Sequence, residues 1–196
     1  FEDMLRTNID LYFDSTEFIN ITHHYIDNAN FSLAEKAISM GLQQHPNNID
    51  LMLLSSELLI FNSNYDSAYK ILNFVEEIDP INKEVYLQKA TIYSKNNLGQ
   101  KAIEILKKAL DFSDDKYEIW NMIGMEFLLL EEYNSAIPFF EKCIKNNPKL
   151  EIELFAKLYY VRSSTKSSDE ETINKYFKKL IRDKKNHDYL NRIYFE

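Results

Sequence analysis

Glycine and proline are scarce, with three and four residues in a chain of 196. So few breakers leave little room for hairpins or long loops and favour helices joined by short turns. Cys143 is the one cysteine, so no disulfide can close within the chain, which favours a reducing, cytoplasmic compartment. No run of about 18 apolar residues occurs, so no segment is a candidate for a membrane-spanning helix. A glycine-rich phosphate loop is missing, as is a serine or cysteine nucleophile beside a base at a recognised spacing. The chain begins with Phe1 rather than Met, as expected of an excised fragment or mature form, with any targeting signal out of view.

What the chain does have is a beat. Ala34, Ala68, Ala102 and Ala136 stand 34 residues apart. Asn28, Asn62 and Asn96 keep the same step, as do the aromatics Phe31, Tyr65 and Tyr133. Pro46 and Pro80 repeat it, and Pro148 falls two steps further on. A fixed period of this length marks one supersecondary unit stacked on copies of itself.

The fourth copy carries the clearest motif. It reads W-N-M-I-G-M-E-F, then E-Y-N-S-A-I-P-F-F-E-K-C, and closes at N-N-P. This resembles the tetratricopeptide repeat, a helix–turn–helix with W-x2-L-G-x2-Y, A-x3-F and a closing Pro. Trp120, Ile123, Gly124 and Phe127 fill the first element, and Ala136, Phe140, Cys143 and Pro148 the second. Counting back in phase frames repeats at 15–48, 49–82, 83–116 and 117–150. The earlier copies are degenerate but carry no insertion. Copy three has Tyr86, Ala90, Tyr93, Ala102, Leu106 and Ala109 at the motif sites. Copy two has Met52, Ser56, Leu59, Ala68, Leu72 and Pro80, and copy one has Phe18, Thr22, Tyr25, Ala34, Ile38, Gly41 and Pro46.

The resemblance implies an all-α fold, an α-solenoid of antiparallel helix pairs wound into a right-handed superhelix. Four repeats are expected over 15–149, with 1–14 as a partial capping helix bearing Met4, and 151–196 as an atypical fifth helix pair and C-terminal cap. Small residues at Ser56, Ala90, Gly124 and the alanine beat permit close helix approach, with large apolar residues filling the space around them. The Asn at 28, 62 and 96 is expected to end each first helix in the left-handed conformation. Gly99 takes the aromatic's place at the third turn. In copy three Asp114 replaces the closing Pro, so Ser113 or Asp114 is expected to cap the next helix. Pro138 is tolerable if its helix starts near Asn134, and otherwise implies a kink. A helix is expected from Glu151 to Val161 with Leu154, Leu158 and Val161 inward, broken by S-S-T-K-S-S-D-E-E. Ser168 and Glu171 then form a capping box, and Ile173, Phe177 and Leu180 an apolar face. The patch Tyr189 to Phe195 either folds back as a last cap or meets a neighbouring copy or next repeat.

Charge divides by region. Through Glu141 there are 10 basic and 23 acidic residues, and from Lys142 onward 13 basic and 8 acidic. The acidic array argues against a nucleic acid partner, whose phosphates it would repel. The C-terminal cluster Lys175, Lys178, Lys179, Arg182, Lys184 and Lys185 reads as a solvated helix face. His23 and His24 point about 100° apart on a helix, and His23 with Asp27 supplies only two ligands, short of a zinc site. Adjacent carboxylates such as Glu76–Glu77, Asp114–Asp115 and Glu131–Glu132 lie at helix ends or turns, without the burial that acid–base work requires. No enzyme activity, metal or cofactor is expected.

Two functional readings remain. The resemblance implies a scaffold that binds a protein or peptide in a concave groove lined by the first helix of each pair. Projection of the packing positions inward leaves Asn20, His23, Asp50, Leu53, Leu54, Glu57, Glu84, Leu87, Gln88, Thr91, Glu118, Asn121, Met122 and Met125 for that face. Several of the apolar ones serve equally well as core between repeats. Some family members grip a partner's terminal carboxylate with Lys, Asn and Arg on this face. Here the face offers Ile19, His23 and acids, so a partner with basic flanks is expected instead. The alternative is a structural module that self-associates, or spaces other domains, through its apolar ends and leaves the groove idle.

Overall fold

The computed structural model describes residues 11–146 and 150–165, together with positions 1, 4, 6, 174, 178, 181 and 182. Among the described residues all regular structure is helical: α1 (Ser15–Asp27), α2 (Phe31–Gln44), α3 (Ile49–Phe61), α4 (Tyr65–Ile78), α5 (Lys83–Lys95), α6 (Gly99–Ala109), α7 (Tyr117–Leu129), α8 (Tyr133–Lys145) and α9 (Leu150–Thr165). α1, α3, α5 and α7 start at 15, 49, 83 and 117, and α2, α4, α6 and α8 at 31, 65, 99 and 133, so both series keep the 34-residue step. The class is all-α, a helical-repeat solenoid. The chain divides into two compact units, Phe1–Gln88 and Lys89–Glu196, with the division inside α5.

Each turn within a helix pair has one geometry. Ala29, Ser63, Asn97 and Glu131 have φ of 54°, 59°, 57° and 60°. Each donates its N–H to the carbonyl three residues back, and the next residue donates five back: Asn30 to Tyr25 at 2.8 Å, Asn64 to Leu59 at 2.8 Å, Leu98 to Tyr93 at 2.9 Å, Glu132 to Phe127 at 2.9 Å. These are Schellman motifs, which satisfy carbonyls left open at a helix end. The left-handed residue therefore lies one position after the asparagine, not on it. Asn28 and Asn62 have φ of −90° and −80°. The asparagine works through its side chain instead. Asn28 Nδ2 donates to the His24 carbonyl at 2.7 Å and Asn96 Nδ2 to that of Ile92 at 2.8 Å. Asn62 reaches Glu35 Oε1 at 2.6 Å.

In the first unit α1 packs on α2, α3 on α4, and α3 also meets α1 and α2. Entry to α1 is held by a capping box in which Glu17 N–H donates to Asp14 and Asp14 N–H to the Glu17 carboxylate, each at 2.8 Å. The preceding stretch of coil is tied to the end of α2, because Phe13 N–H donates to Gln44 Oε1 at 3.0 Å and Gln44 Nε2 to the Leu11 carbonyl at 2.9 Å. Phe18, Leu51, Leu72 and Val75 are fully buried. A Cβ on Gly41 would lie 3.0 Å from the Phe18 ring and 3.2 Å from Leu51 Cδ1, so the alanine beat is not the only place where α2 must be thin. Tyr25, Ala34, Ile38, Leu54 and Leu58 form one core cluster. Met4 is also buried, at 2% exposure.

In the second unit α7 packs on α6 and α8, and α9 on α7 and α8. Ala102, Ile103, Leu106, Ile119, Ile123, Ala136, Phe140 and Cys143 are buried to 1% or less. Phe140 lies against Gly124 and its ring centroid is 5.7 Å from that of Tyr159 on α9. α8 starts at Tyr133 and continues through Pro138.

Two further expectations are corrected. Neither Ser113 nor Asp114 caps α7, because the helix starts on the beat at Tyr117 behind Lys116; Ser113 Oγ instead donates to the Asp115 carbonyl at 3.2 Å, closing the connecting loop. α9 continues past Val161 to Thr165, and Ser163 within it is fully buried. Pro148, the Ser168–Glu171 box, the face of Ile173, Phe177 and Leu180 and the Tyr189–Phe195 patch lie outside the described residues. Of the basic cluster, Lys178 and Arg182 are described and are exposed; Lys175, Lys179, Lys184 and Lys185 are not described.

Candidate functional site

The first helices of the pairs present the residues singled out for binding. In the first unit His23 comes from α1, Asp50, Leu53, Leu54 and Glu57 from α3, and Glu84 and Gln88 from α5. The spacing 50, 53, 54 and 57 keeps one side of α3 facing the same way. These seven residues, joined by Ile19 and Asn82, line a single depression of about 320 Å³. Asn20 is exposed on α1 but outside the lining.

Its floor is apolar and nearly closed. Leu53 and Leu54 are 8% and 6% exposed, so they offer edges rather than open surface. Its rim is acidic, with Asp50 and Glu57 exposed and Glu84 half-buried, and no Lys or Arg among the lining residues. Gln88, 6% exposed, anchors one wall: its Nε2 donates to the Leu53 carbonyl at 3.2 Å and to Glu84 Oε1 at 3.1 Å. The Ser56 hydroxyl hydrogen-bonds Gln88 Oε1 from below. Asn82, overlooked in the sequence, accepts the Glu84 N–H at 3.1 Å and donates to Asp79 at 3.0 Å. The signal was available, since Asn48 sits one period earlier and caps α3 through the Leu51 N–H at 2.9 Å.

In the second unit Thr91 on α5 and Glu118, Asn121, Met122 and Met125 on α7 are all half-buried. Asn121 Nδ2 approaches the Met125 sulfur at 3.8 Å, while its enclosed Oδ1 has no hydrogen-bond partner among the described residues. Leu87, on α5, is 5% exposed and belongs to the core.

No group of three His, Cys, Asp or Glu among the described residues is placed to hold a metal ion. No described helix is long and apolar enough to cross a membrane. Among the described residues three titrating groups are shifted, all upward and all chiefly by burial. The Cys143 thiol is pushed up to about 11, with Glu153 adding to the shift. Glu126 is raised by desolvation, partly offset by a hydrogen bond from Ser94. Tyr86 is raised by burial and then by Glu76. Glu126 escaped the sequence reading because nothing in its type marks a buried carboxyl.

Comparison with known proteins agrees with this geometry. A sequence model of the tetratricopeptide repeat matches residues 83–116 and 117–150. The chain is 26% identical over 147 residues to anaphase-promoting complex subunit CDC23 of Saccharomyces cerevisiae (strain ATCC 204508 / S288c), a match covering 68% of this chain and 23% of that protein. It thus spans about a quarter of that relative's length. Among solved structures, a thermophilic TPR protein of Thermus thermophilus aligns with a TM-score of 0.72 at 12% identity, over 91% of this chain and 96% of that one. MamA of Desulfovibrio magneticus RS-1 aligns with a TM-score of 0.65 at 14% identity, over 84% and 92%. At such identities the likeness is one of fold. Repeats of this kind generally mediate protein–protein interaction. With its motif in the fourth copy, its 34-residue helix pairs and these matches, the chain carries tetratricopeptide repeats at residues 83–116 and 117–150.

Proposed function

We propose that the protein is an interaction scaffold without catalysis of its own, which binds an extended or helical segment of another protein on the first-helix face of its repeats. Four repeats over 15–149, capped by 1–14 and by an atypical pair in 151–196, form the scaffold. The observation that carries this reading is the depression in the first unit, where seven residues placed on the binding face by phase alone share one lining. The match to a subunit of a multi-protein complex is consistent with it. Leu53, Leu54, Met122 and Met125 supply apolar contact, and methionine adapts to irregular partners. Asp50, Glu57, Glu84 and Glu118 favour basic flanks on the bound segment and speed its encounter, an effect that salt weakens. A reducing compartment such as the cytoplasm suits the single buried thiol.

The test is quantitative cross-linking in the source cell with the native chain and with a Glu57→Lys, Glu84→Lys double variant of unchanged circular dichroism. A partner enriched by the native chain is expected to be lost from the variant, and its purified complex to weaken more at low salt than at high salt. Unchanged capture, together with loss on a convex-face change, would move the function to the outer surface. Concentration-dependent dimers indifferent to the charge reversal would make the chain a spacer.

A further inference from the structure

We infer that the depression in the first unit receives one arginine side chain of the bound segment. The inference rests on the scaffold reading above and specifies what that part of the face selects. A cavity of about 320 Å³ holds about ten waters at their liquid volume, enough for one long side chain and too little for a folded element. Its two chemical zones match the two halves of arginine. Ile19, Leu53 and Leu54 make an apolar floor on which a three-methylene stem can lie. Asp50 and Glu57 from α3 and Glu84 from α5 stand around it, and the lining holds no Lys or Arg.

The placement of these carboxylates on two helices favours a broad cation over a compact one. They do not form a group that could hold a metal ion, so a bare divalent ion has no cage. A guanidinium is broad and planar, and its five N–H donors can address carboxylates on two helices at once. An ammonium is a compact, strongly hydrated point charge that serves one side of such a rim and loses more water on entering. One wall is also built in advance. Gln88 and Asn82 together hold Glu84 by its carboxylate and its N–H, and Gln88 is itself locked by Ser56. The acceptor at that wall is therefore positioned before anything binds, which lowers the ordering cost of binding.

The test uses the full chain with 13C-labelled isoleucine and leucine methyls and three small probes: N-acetyl-arginine N-methylamide, its citrulline counterpart and its lysine counterpart. The arginine probe is expected to give saturable shifts centred on Ile19, Leu53 and Leu54. Citrulline keeps the shape but not the charge and should bind at least about tenfold more weakly, with lysine in between. An Asp50→Asn, Glu57→Gln variant, altered at two exposed positions, should flatten the arginine titration while leaving the circular dichroism unchanged. Equal binding of arginine and citrulline, an indifferent double variant, or no saturable shift at these methyls would overturn the assignment. If the charge-reversed scaffold loses its partner but the probes are not discriminated, the arginine site fails and the scaffold reading stands. If the probes behave as expected and no partner is lost, the reverse holds.

Discussion

Adding a single methyl at Gly124 tests the packing of the fourth repeat. A Cβ at this position would stand 2.6 Å from Phe140 Cε1, 2.8 Å from Cζ and 2.9 Å from Cδ1, inside contact distance for three ring atoms at once. The ring has nowhere easy to go, since Phe140 is fully buried and its centroid lies 5.7 Å from that of the Tyr159 ring. Two opposed effects set the outcome. Alanine is better than glycine in a helix interior by about 0.8–1 kcal/mol. Overpacking a tight core costs about 1–3 kcal/mol. Gly124→Ala should therefore destabilise by roughly 0–2 kcal/mol, and Gly124→Leu by on the order of 1–3 kcal/mol or more, because its longer chain cannot avoid the ring. The three glycines supply an internal scale. At Gly41 the nearest Phe18 atoms lie at 3.0 and 3.1 Å, and at Gly99 the nearest are a Leu130 carbon at 3.2 Å and the flexible Glu126 Oε2 at 3.3 Å. The alanine substitutions should rank in severity 124, then 41, then 99. Urea unfolding followed by circular dichroism measures this, and Gly124→Ala with Phe140→Leu should cost less than the sum of its parts. If Gly124→Ala alone gains the full propensity benefit, α7 and α8 are not as close as described and the reasoning is wrong.

Glu126→Gln should become progressively more favourable relative to the native chain as pH rises from 4 to 7. Burial raises the folded-state value of Glu126, so its contribution is intact at low pH and lost as pH climbs from the unfolded value through the folded one; a pH-independent difference in unfolding free energy would count against this. Glu131→Gly and Ala29→Gly should each stabilise by about 0.5–1 kcal/mol in urea melts, because a left-handed residue with a Cβ is strained by about 1–2 kcal/mol and glycine's extra unfolded freedom returns only part of it. Cys143 should react with a thiol reagent at pH 8 far more slowly than after denaturation, since a pKa of about 11 leaves about a thousandth of it as thiolate; equal rates in the two states would show that the site opens readily.

Helix placement was legible because it depends on periodic size, and the alanine beat and the aromatic seventeenth position of three of the four repeats record size directly. Starts at Phe31, Tyr65 and Tyr133 follow from that alone. Turn geometry was less legible. Asparagine tolerates the left-handed region and also caps through its side chain, and the residue type does not say which; here the side chain is used and Ala29, Ser63, Asn97 and Glu131 take the strain. Burial of polar side chains was not legible, since Gln88, Glu126 and Ser163 are inward only because neighbouring helices close over them. Among the candidate binding residues, phase was enough to bring seven to one lining, but it did not reveal that Leu53 and Leu54 are almost closed off.

The four identical left-handed turns also dictate which length changes the repeats can accept. Each joins two helices through three residues whose bonds fix where the second helix begins. One residue added inside a helix turns everything beyond it by about 100° and advances it by about 1.5 Å. The buried alanine would then face water and an exposed neighbour would enter the core. The repeats from Ser15 onward can therefore lengthen or shorten only in whole multiples of the 34-residue step, by duplicating or deleting a complete pair. Smaller insertions are confined to the connections between pairs, such as the loop from Asp111 to Lys116, where no Schellman bond sets the register.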